Sequence, residues 1–406
     1  MAGAIGVWLM KAILVLVLET SLVFTEAKTL SKDEYLAMKR HLKILNKPAV
    51  KSFKTDYGDI FDCVDINKQL AFDHPLMKNH TVQMQPSSFP TRNDNRVYST
   101  TDLDIGLPDD GCPIGTVPIR RVTMQDLMRA PSPSEFGKKY VLNDSEVIFT
   151  TGPPARHHWA LDETKYEEFY GTEVRINLWK PNVVYWNKFS LAQFWICSGP
   201  YEKLNTIEAG WMVYPRAFND YNLRLFSYWT ADGYHNTGCL NVNCPGFVQI
   251  SRKIPLGVTL FPLSTYGGDQ YEITLLSFLD PNSKQWWLIL GNESIGYWPN
   301  HIFNSLSAKA ERINWGGEVY NPDEALDQLK SDMPPMGSGH FAEEGYGKSS
   351  FMRAMQVVIE NNTIVDAPKT HPFVDTRKCY NMIDKGHVDD VWGRTFYFGG
   401  PGGKCL

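Results

Sequence analysis

From about residue 160 onward the sequence predicts an all-β fold, a sandwich or a barrel. Three observations carry that expectation. Short strand-like segments succeed one another: EVRINLW, FSLAQFWIC, IEAGWMVY, LRLFSYWT, FVQISR, VTLFPLS, YEITLLSFL, QWWLIL and GEVYN. Turn signals separate them, at Asp232-Gly233, Gly267-Gly268 and Asp280-Pro281-Asn282. Aromatic residues are plentiful (12 Trp, 19 Tyr and 21 Phe), which favours strands over helical bundles. Many strands with almost no helix argue for packed sheets.

The region ahead of the strands differs. SKDEYLAMKRHLKILNK carries the one long helical signal, with Ser31 and Glu34 as a capping box and Tyr35, Met38, Leu42 and Leu45 at helical spacing. Residues 50–150 are irregular and Pro-rich, and read as a small α+β domain that ends in a connector at roughly 130–155, including RAPSPSEFGKK. The pair His157-His158 is placed in that connector and read as solvated rather than metal-bound. One short helix is expected after Asn321, with Pro322 at its first position. MPPMGSGHFAEEGYGKSS reads as a long surface loop, and its Gly345-Tyr346-Gly347-Lys348 as plain loop, because no strand precedes it.

Bulk properties narrow the function. A chain that is 43% hydrophobic and 21% charged, with net charge −5 and no basic block, is globular and a poor match to nucleic acid. Lys11, the apolar run Ala12–Leu18, a second patch at Leu22–Phe24 and Thr25-Glu26-Ala27 read as an export signal over residues 1–27. Nothing after it approaches membrane-spanning length, so no membrane partner is expected and secretion is. Seven cysteines suit that compartment. Cys239 and Cys244 are spaced for a small loop staple, Cys379 with Cys405 could tie the tail, and Cys63 with Cys112 could close a loop. Cys197 is then left over as a buried thiol. Sequons at Asn79, Asn143, Asn292 and Asn361 are glycosylation candidates.

No metalloprotease, nucleophile-elbow, phosphate-loop or zinc-knuckle signature is present, and no cofactor or metal is implied. Two strand acids stand out instead. In IEAGWMVYP, period two places Glu208, Gly210, Met212 and Tyr214 opposite a core face of Ile207, Ala209, Trp211 and Val213. In INWGGEVYN, Glu318 shares its face with Asn314, Gly316 and Tyr320. Each segment has a glutamate two residues from a glycine, opposite a Trp and a Val. One sheet could bring the acids together, but parity alone does not show adjacency.

Longer stretches carry a resemblance. YLAMKRHLKILNKPAVKS, DIFDCVDINKQLAFDHPLMKNH and GCPIGTVPIRR resemble the activation peptide of the neprosin family of plant secreted proteins. SLAQFWICSGP, NTIEAGWMVYP, YWTADGYHNTGCLNVNCPGFVQ, GGEVYN and FYFGGPGGKC resemble its catalytic domain. The resemblance implies a glutamic peptidase that cuts after proline, made as a zymogen, with a curved antiparallel sandwich over residues 151–406 and a propeptide over 28–150 acting as its own inhibitor. Glu208 and Glu318 stand at the family's catalytic positions, Gln193 resembles a groove residue suited to an oxyanion, and all three cysteine pairs match family bridges. Tyr214 and Tyr320, on the faces of the acids, are further groove candidates for stacking a proline ring or donating to the intermediate. The substrates implied are proline-containing peptides or proteins, met outside the cell in the apoplast or wall. Two glutamates gripping one water through hydrogen bonds of about 2.6–3.2 Å supply base and acid at acidic pH. The rival readings are a β-sandwich glycosidase and an inert wall-associated binding protein.

Overall fold

The computed structural model describes residues 30–92, 107–108, 110–139, 157–323 and 332–405. The export signal, Asn143, most of the connector and the helix expected after Asn321 lie outside them. Two compact units divide the chain, Met1–His41 and Leu42–Leu406. In the first, the helix that starts at Lys32 has its expected capping box: Ser31 N donates to Glu34 Oε2 at 2.9 Å and Glu34 N to Ser31 Oγ at 3.2 Å.

In chain order the strands are β1 (Ala49–Lys54), β2 (Ile60–Asp65), β3 (Thr91–Arg92), β4 (Thr116–Arg120), β5 (His157–Glu163), β6 (Gly171–Asn177), β7 (Phe189–Ser198), β8 (Asn205–Val213), β9 (Arg224–Thr230) and β10 (Val248–Gln249). There follow β11 (Glu272–Leu279), β12 (Gln285–Leu290), β13 (Glu293–Pro299), β14 (Arg312–Tyr320), β15 (Ser350–Ile359), β16 (Thr363–Asp366), β17 (His371–Val374), β18 (Asn381–His387) and β19 (Arg394–Gly399). A six-stranded sheet runs β17-β5-β14-β7-β8-β9. A ten-stranded sheet runs β10-β13-β12-β11-β6-β15-β16-β3, with β19 on β15 and β18 on β19. The two pack face to face, and one core takes Phe194, Ile207, Trp211 and Trp315 from the first and Val174, Ile176, Leu275 and Trp286 from the second.

Several strand expectations need correcting. VTLFPLS forms no strand; only Thr259 pairs, in an isolated bridge with Arg224. His157 and His158 are not connector residues. They open β5, which sits inside the six-stranded sheet between β14 and β17, so both are largely buried. Its neighbour β17 contains Pro372 and lies at the sheet edge, where a missing N–H is tolerated. The stretch after Met333 is only partly a surface loop, since Met333 and Met336 are buried and bridge to Gly403 and Gly400.

The N-terminal region from Leu42 to Lys139 wraps the sandwich. Its own sheet, β1-β2-β4, is closed by the Cys63–Cys112 disulfide. Ala71 and Met77 cover the outer face of the ten-stranded sheet beside Trp287 and Tyr297, and β3 joins that sheet in parallel with β16. Asp59 makes a buried ion pair at 2.7 Å with Arg224 of β9. The other two disulfides are Cys239–Cys244 and Cys379–Cys405. Cys197 is buried and unpaired, its thiol pushed up to about 11 by burial, which suits an inert core residue. Asn79, Asn292 and Asn361 are all exposed.

Candidate active site

The outer face of the six-stranded sheet brings the two strand acids together. On β7 that face carries Leu191, Gln193 and Trp195, and pairing fixes what lies beside each. Gln193 sits between Gly210 of β8 and Gly316 of β14, Trp195 lies beside Glu208, and Leu191 lies beside Glu318. The acids therefore occupy a diagonal across Gln193. The glycines on either side are obligatory. A Cβ on Gly210 would come within 1.9 Å of the Ala192 carbonyl oxygen, and one on Gly316 within 2.3 Å of that of Ala160. Without side chains there, both carboxylates lean over the glutamine, whose Nε2 donates to Glu208 Oε2 at 3.0 Å and to Glu318 Oε2 at 3.4 Å. All three residues are buried.

Each acid is also held from behind through its other oxygen. Glu208 Oε1 accepts from Tyr234 Oη at 2.6 Å and from Thr206 Oγ1 at 3.0 Å. Burial, then the nearby Glu208 charge, holds the Tyr234 phenol well above its ordinary value, so it remains a donor. Glu318 Oε1 meets His157 Nδ1 at 2.6 Å. His157 lies among rings, 4.6 Å from Tyr320 and 5.8 Å from both Trp159 and Phe189 between centroids.

The space in front of the pair is filled by a lysine from the N-terminal region. Lys139 Nζ lies 2.6 Å from Glu208 Oε2 and 3.7 Å from Glu318 Oε2. One nitrogen thus lies within reach of both Oε2 atoms. Its backbone N–H donates to Tyr228 Oη at 2.9 Å, and Gly137 O accepts from Leu240 N at 2.7 Å, so the segment is pinned at Gly137 and at Lys139 itself. Burial opposes the lysine charge, but the two carboxylates outweigh it and hold the ammonium above its ordinary value. Burial likewise pushes Glu318 up, yet Lys139 and His157 together hold it below the usual carboxylate range.

Beside the pair, Ala130 and Glu135–Lys139 line a cleft together with Phe189, Leu191, Met212, Tyr214 and Tyr320. Tyr214 packs edge-on against Phe189 at 5.3 Å, and Phe189 stacks on Tyr320 at 5.3 Å. Both groove tyrosines thus form an aromatic wall, whereas the tyrosine that bonds an acid is Tyr234. Period two does place Thr206 on the face of Glu208. Nothing local marks Lys139, and His157 is missed by starting the strand pattern at about residue 160, although Trp159 and Leu161 share its parity.

Two family patterns match the chain. One, described as Neprosin, covers residues 186–401; the other, described as Neprosin activation peptide, covers 52–163 and so runs through β5. Among solved structures, a scytalido-glutamic peptidase bound to a transition state analog inhibitor is 10% identical, with a TM-score of 0.32, over 59% of this chain and 97% of that one. SCP-B, a member of the Eqolisin family of peptidases in complex with the tripeptide Ala-Ile-His, is 10% identical with a TM-score of 0.30, over 60% and 97%. Likenesses this loose are resemblances and nothing more. The sequence match is what decides: the Neprosin pattern takes in more than half of the sequence, and the chain belongs to the neprosin family of glutamic peptidases.

Proposed function

We propose that the protein is a secreted zymogen of an acid-acting endopeptidase that cuts after proline, with Glu208 and Glu318 as the catalytic pair and Lys139 as the group that blocks them. The observation that carries this reading is that Oε2 of each glutamate faces the same point, now filled by the lysine ammonium. With Lys139 withdrawn, a water there would bond both oxygens. One ionised glutamate takes a proton from the water as its oxygen bonds the scissile carbonyl carbon. The carbonyl oxygen takes the proton of the other glutamate, and Gln193 Nε2 donates to that oxygen. On collapse the C–N bond breaks, the nitrogen leaves with the first proton, and a hydroxyl proton returns to the second glutamate. Two carboxyl groups this close share one proton, which sets an acidic working range. The wall of Phe189, Tyr214 and Tyr320 gives a proline ring apolar faces to lie on.

Processing falls between Lys139 and His157 on this reading. β5 is an interior strand and must stay with the sandwich, while Lys139 must leave. Glu208→Gln and Glu318→Gln, assayed on a fluorogenic peptide with an internal proline at about pH 4, should each fold and each lose at least 10²–10⁴ in rate, roughly the worth of general acid–base help. Near-full activity in either would remove that residue from the pair. Cleavage of a plant polysaccharide but no peptide would favour a glycosidase.

A further inference from the structure

The two carboxyl groups are supported unequally. Behind Glu208 stand two neutral hydroxyls, Tyr234 and Thr206. Behind Glu318 stands an imidazole, which can carry a charge. A carboxyl group whose outer oxygen accepts from neutral hydroxyls has its charge supported less strongly than one that accepts from an imidazolium. One whose outer oxygen accepts from an imidazolium is well placed as a carboxylate.

We propose that His157 is a positioning residue that makes the pair asymmetric: its imidazolium, donating from Nδ1 to Glu318 Oε1, holds Glu318 as the ionised base and leaves Glu208 as the proton carrier. This rests on the catalytic reading of the two glutamates. It goes further by assigning their roles and by adding a group that never touches substrate.

The geometry supports it in three ways. The 2.6 Å contact is short, as charge-assisted bonds are. His157 is fixed by the sheet itself, as the β5 residue paired with Tyr320 of β14, so its ring does not depend on a loop. Its side chain retains only 14% of its exposure and lies between Trp159, Tyr320 and Phe189, which keeps bulk water from screening the pair. The titratable groups facing it are Glu318 and Tyr320 from β14 and, while the N-terminal region is docked, Lys139, which also lines the cleft; Glu208 lies beyond Gln193. Once Lys139 departs, His157 becomes the one cation among the described residues still bonded to the pair. At acidic pH, where the enzyme works, an imidazole is charged. The support therefore exists in the range where a base would otherwise be lost to protonation.

The test is the pH profile of kcat/KM after acid processing, on the same fluorogenic peptide, for wild type, His157→Phe and His157→Gln. The low-pH limb reports ionisation of the base. An opposite charge at this range shifts a carboxyl by about one unit or more. His157→Phe should therefore move that limb up by at least about one unit, a roughly tenfold loss one unit below the wild-type midpoint with activity recovered at the top of the profile. His157→Gln, keeping a neutral donor, should shift it less. A limb that stays put, or a loss equal at every pH, overturns the proposal.

Should both variants fail to fold, the imidazole of His157 is followed by NMR in wild type and in Glu318→Gln processed by a trace of wild-type enzyme. Its Nδ1 proton should resonate well downfield with the carboxylate present, and the same resonance in both proteins would overturn the assignment. Full activity in Glu318→Gln would instead sink the catalytic pair itself, whatever the imidazole does.

Discussion

Replacing Lys139 by methionine keeps the bulk of the side chain and removes its charge. In the docked zymogen the ammonium is bonded to Glu208 and faces Glu318, both buried. Removing one partner of such a pair costs about 2–5 kcal/mol. Because the lysine side chain keeps 16% of its exposure, the lower part of that range, about 2–3 kcal/mol, is the better figure. At 1.4 kcal/mol per decade this is roughly 30- to 150-fold in the ratio of open to closed zymogen. The pH dependence has a definite sign. Glu318 is held below its ordinary value of 4.5 in the docked state, so its contribution is complete above that value and is lost as pH falls through the depressed one. Lys139 is held above 10.5, and its contribution stays complete throughout the acid range. In the assay, full-length chain is stepped from neutral to fixed pH values, and both chain cleavage and peptidase activity are followed with time. At about pH 5 the Lys139→Met chain should activate roughly 30- to 150-fold faster than wild type. The gap should narrow at lower pH, where protonation of Glu318 removes one of the two carboxylates that hold the wild-type lysine. Lys139→Arg should stay slow. Equal rates for Lys139→Met and wild type at about pH 5 would refute the blocking role.

Other expectations rest on other contacts. His74 and His80 of the N-terminal region lie beside His301; burial, and for the first two the charge of His301, holds all three below 6.5, so docking is strongest above that value and weakens as pH falls through it. In His80→Gln/His301→Asn the loosening that begins near 6.5 should shrink while that below 4.5 remains, as read by hydrogen exchange of the N-terminal region. Burial raises Asp162 to about 7 with one oxygen unpartnered among the described residues, so its proton stabilises the fold below about pH 4 and that benefit fades as pH rises to about 7. Thermal melts should show a loss of up to about 4 kcal/mol across that range, at about 1.36 kcal/mol per unit, and Asp162→Asn should flatten it. Gly210→Ala, forced against the Ala192 carbonyl, should cost about 1–3 kcal/mol or more and most of the activity, seen as a lower Tm and a fall in kcat together.

Much of the site was readable in the residues. Parity placed Glu208 with Gly210 and Glu318 with Gly316, and β8 and β14 keep those faces. What parity leaves open is which strand lies between, and only long-range pairing supplies β7 with Gln193 at the crossing. Lys139 is one of two adjacent lysines in a Pro-rich run, with no periodic pattern to mark it, and its role exists only in the docked fold. His157 had only a faint local signal, because the apolar run Trp159–Leu161 follows it, and the polar residues on both sides of that short run read as linker. Strands β13 and β18 were hidden by glycine inside them, Gly296 and Gly386, and β17 by Pro372.

The glycines flanking Gln193 have a consequence for how such an enzyme can change. Both acids are anchored mid-strand, in ladders whose spacing those two positions enforce, so the carboxyl oxygens inherit their placement from main-chain pairing. Slippage by one residue would turn both carboxylates into the core, and selection against it is therefore severe. The side chains that line the cleft, such as Phe189, Met212 and Tyr214, carry no such obligation. Exchanging them should redirect which peptides are accepted while leaving the hydrolytic step untouched, so that selectivity and chemistry are free to evolve apart.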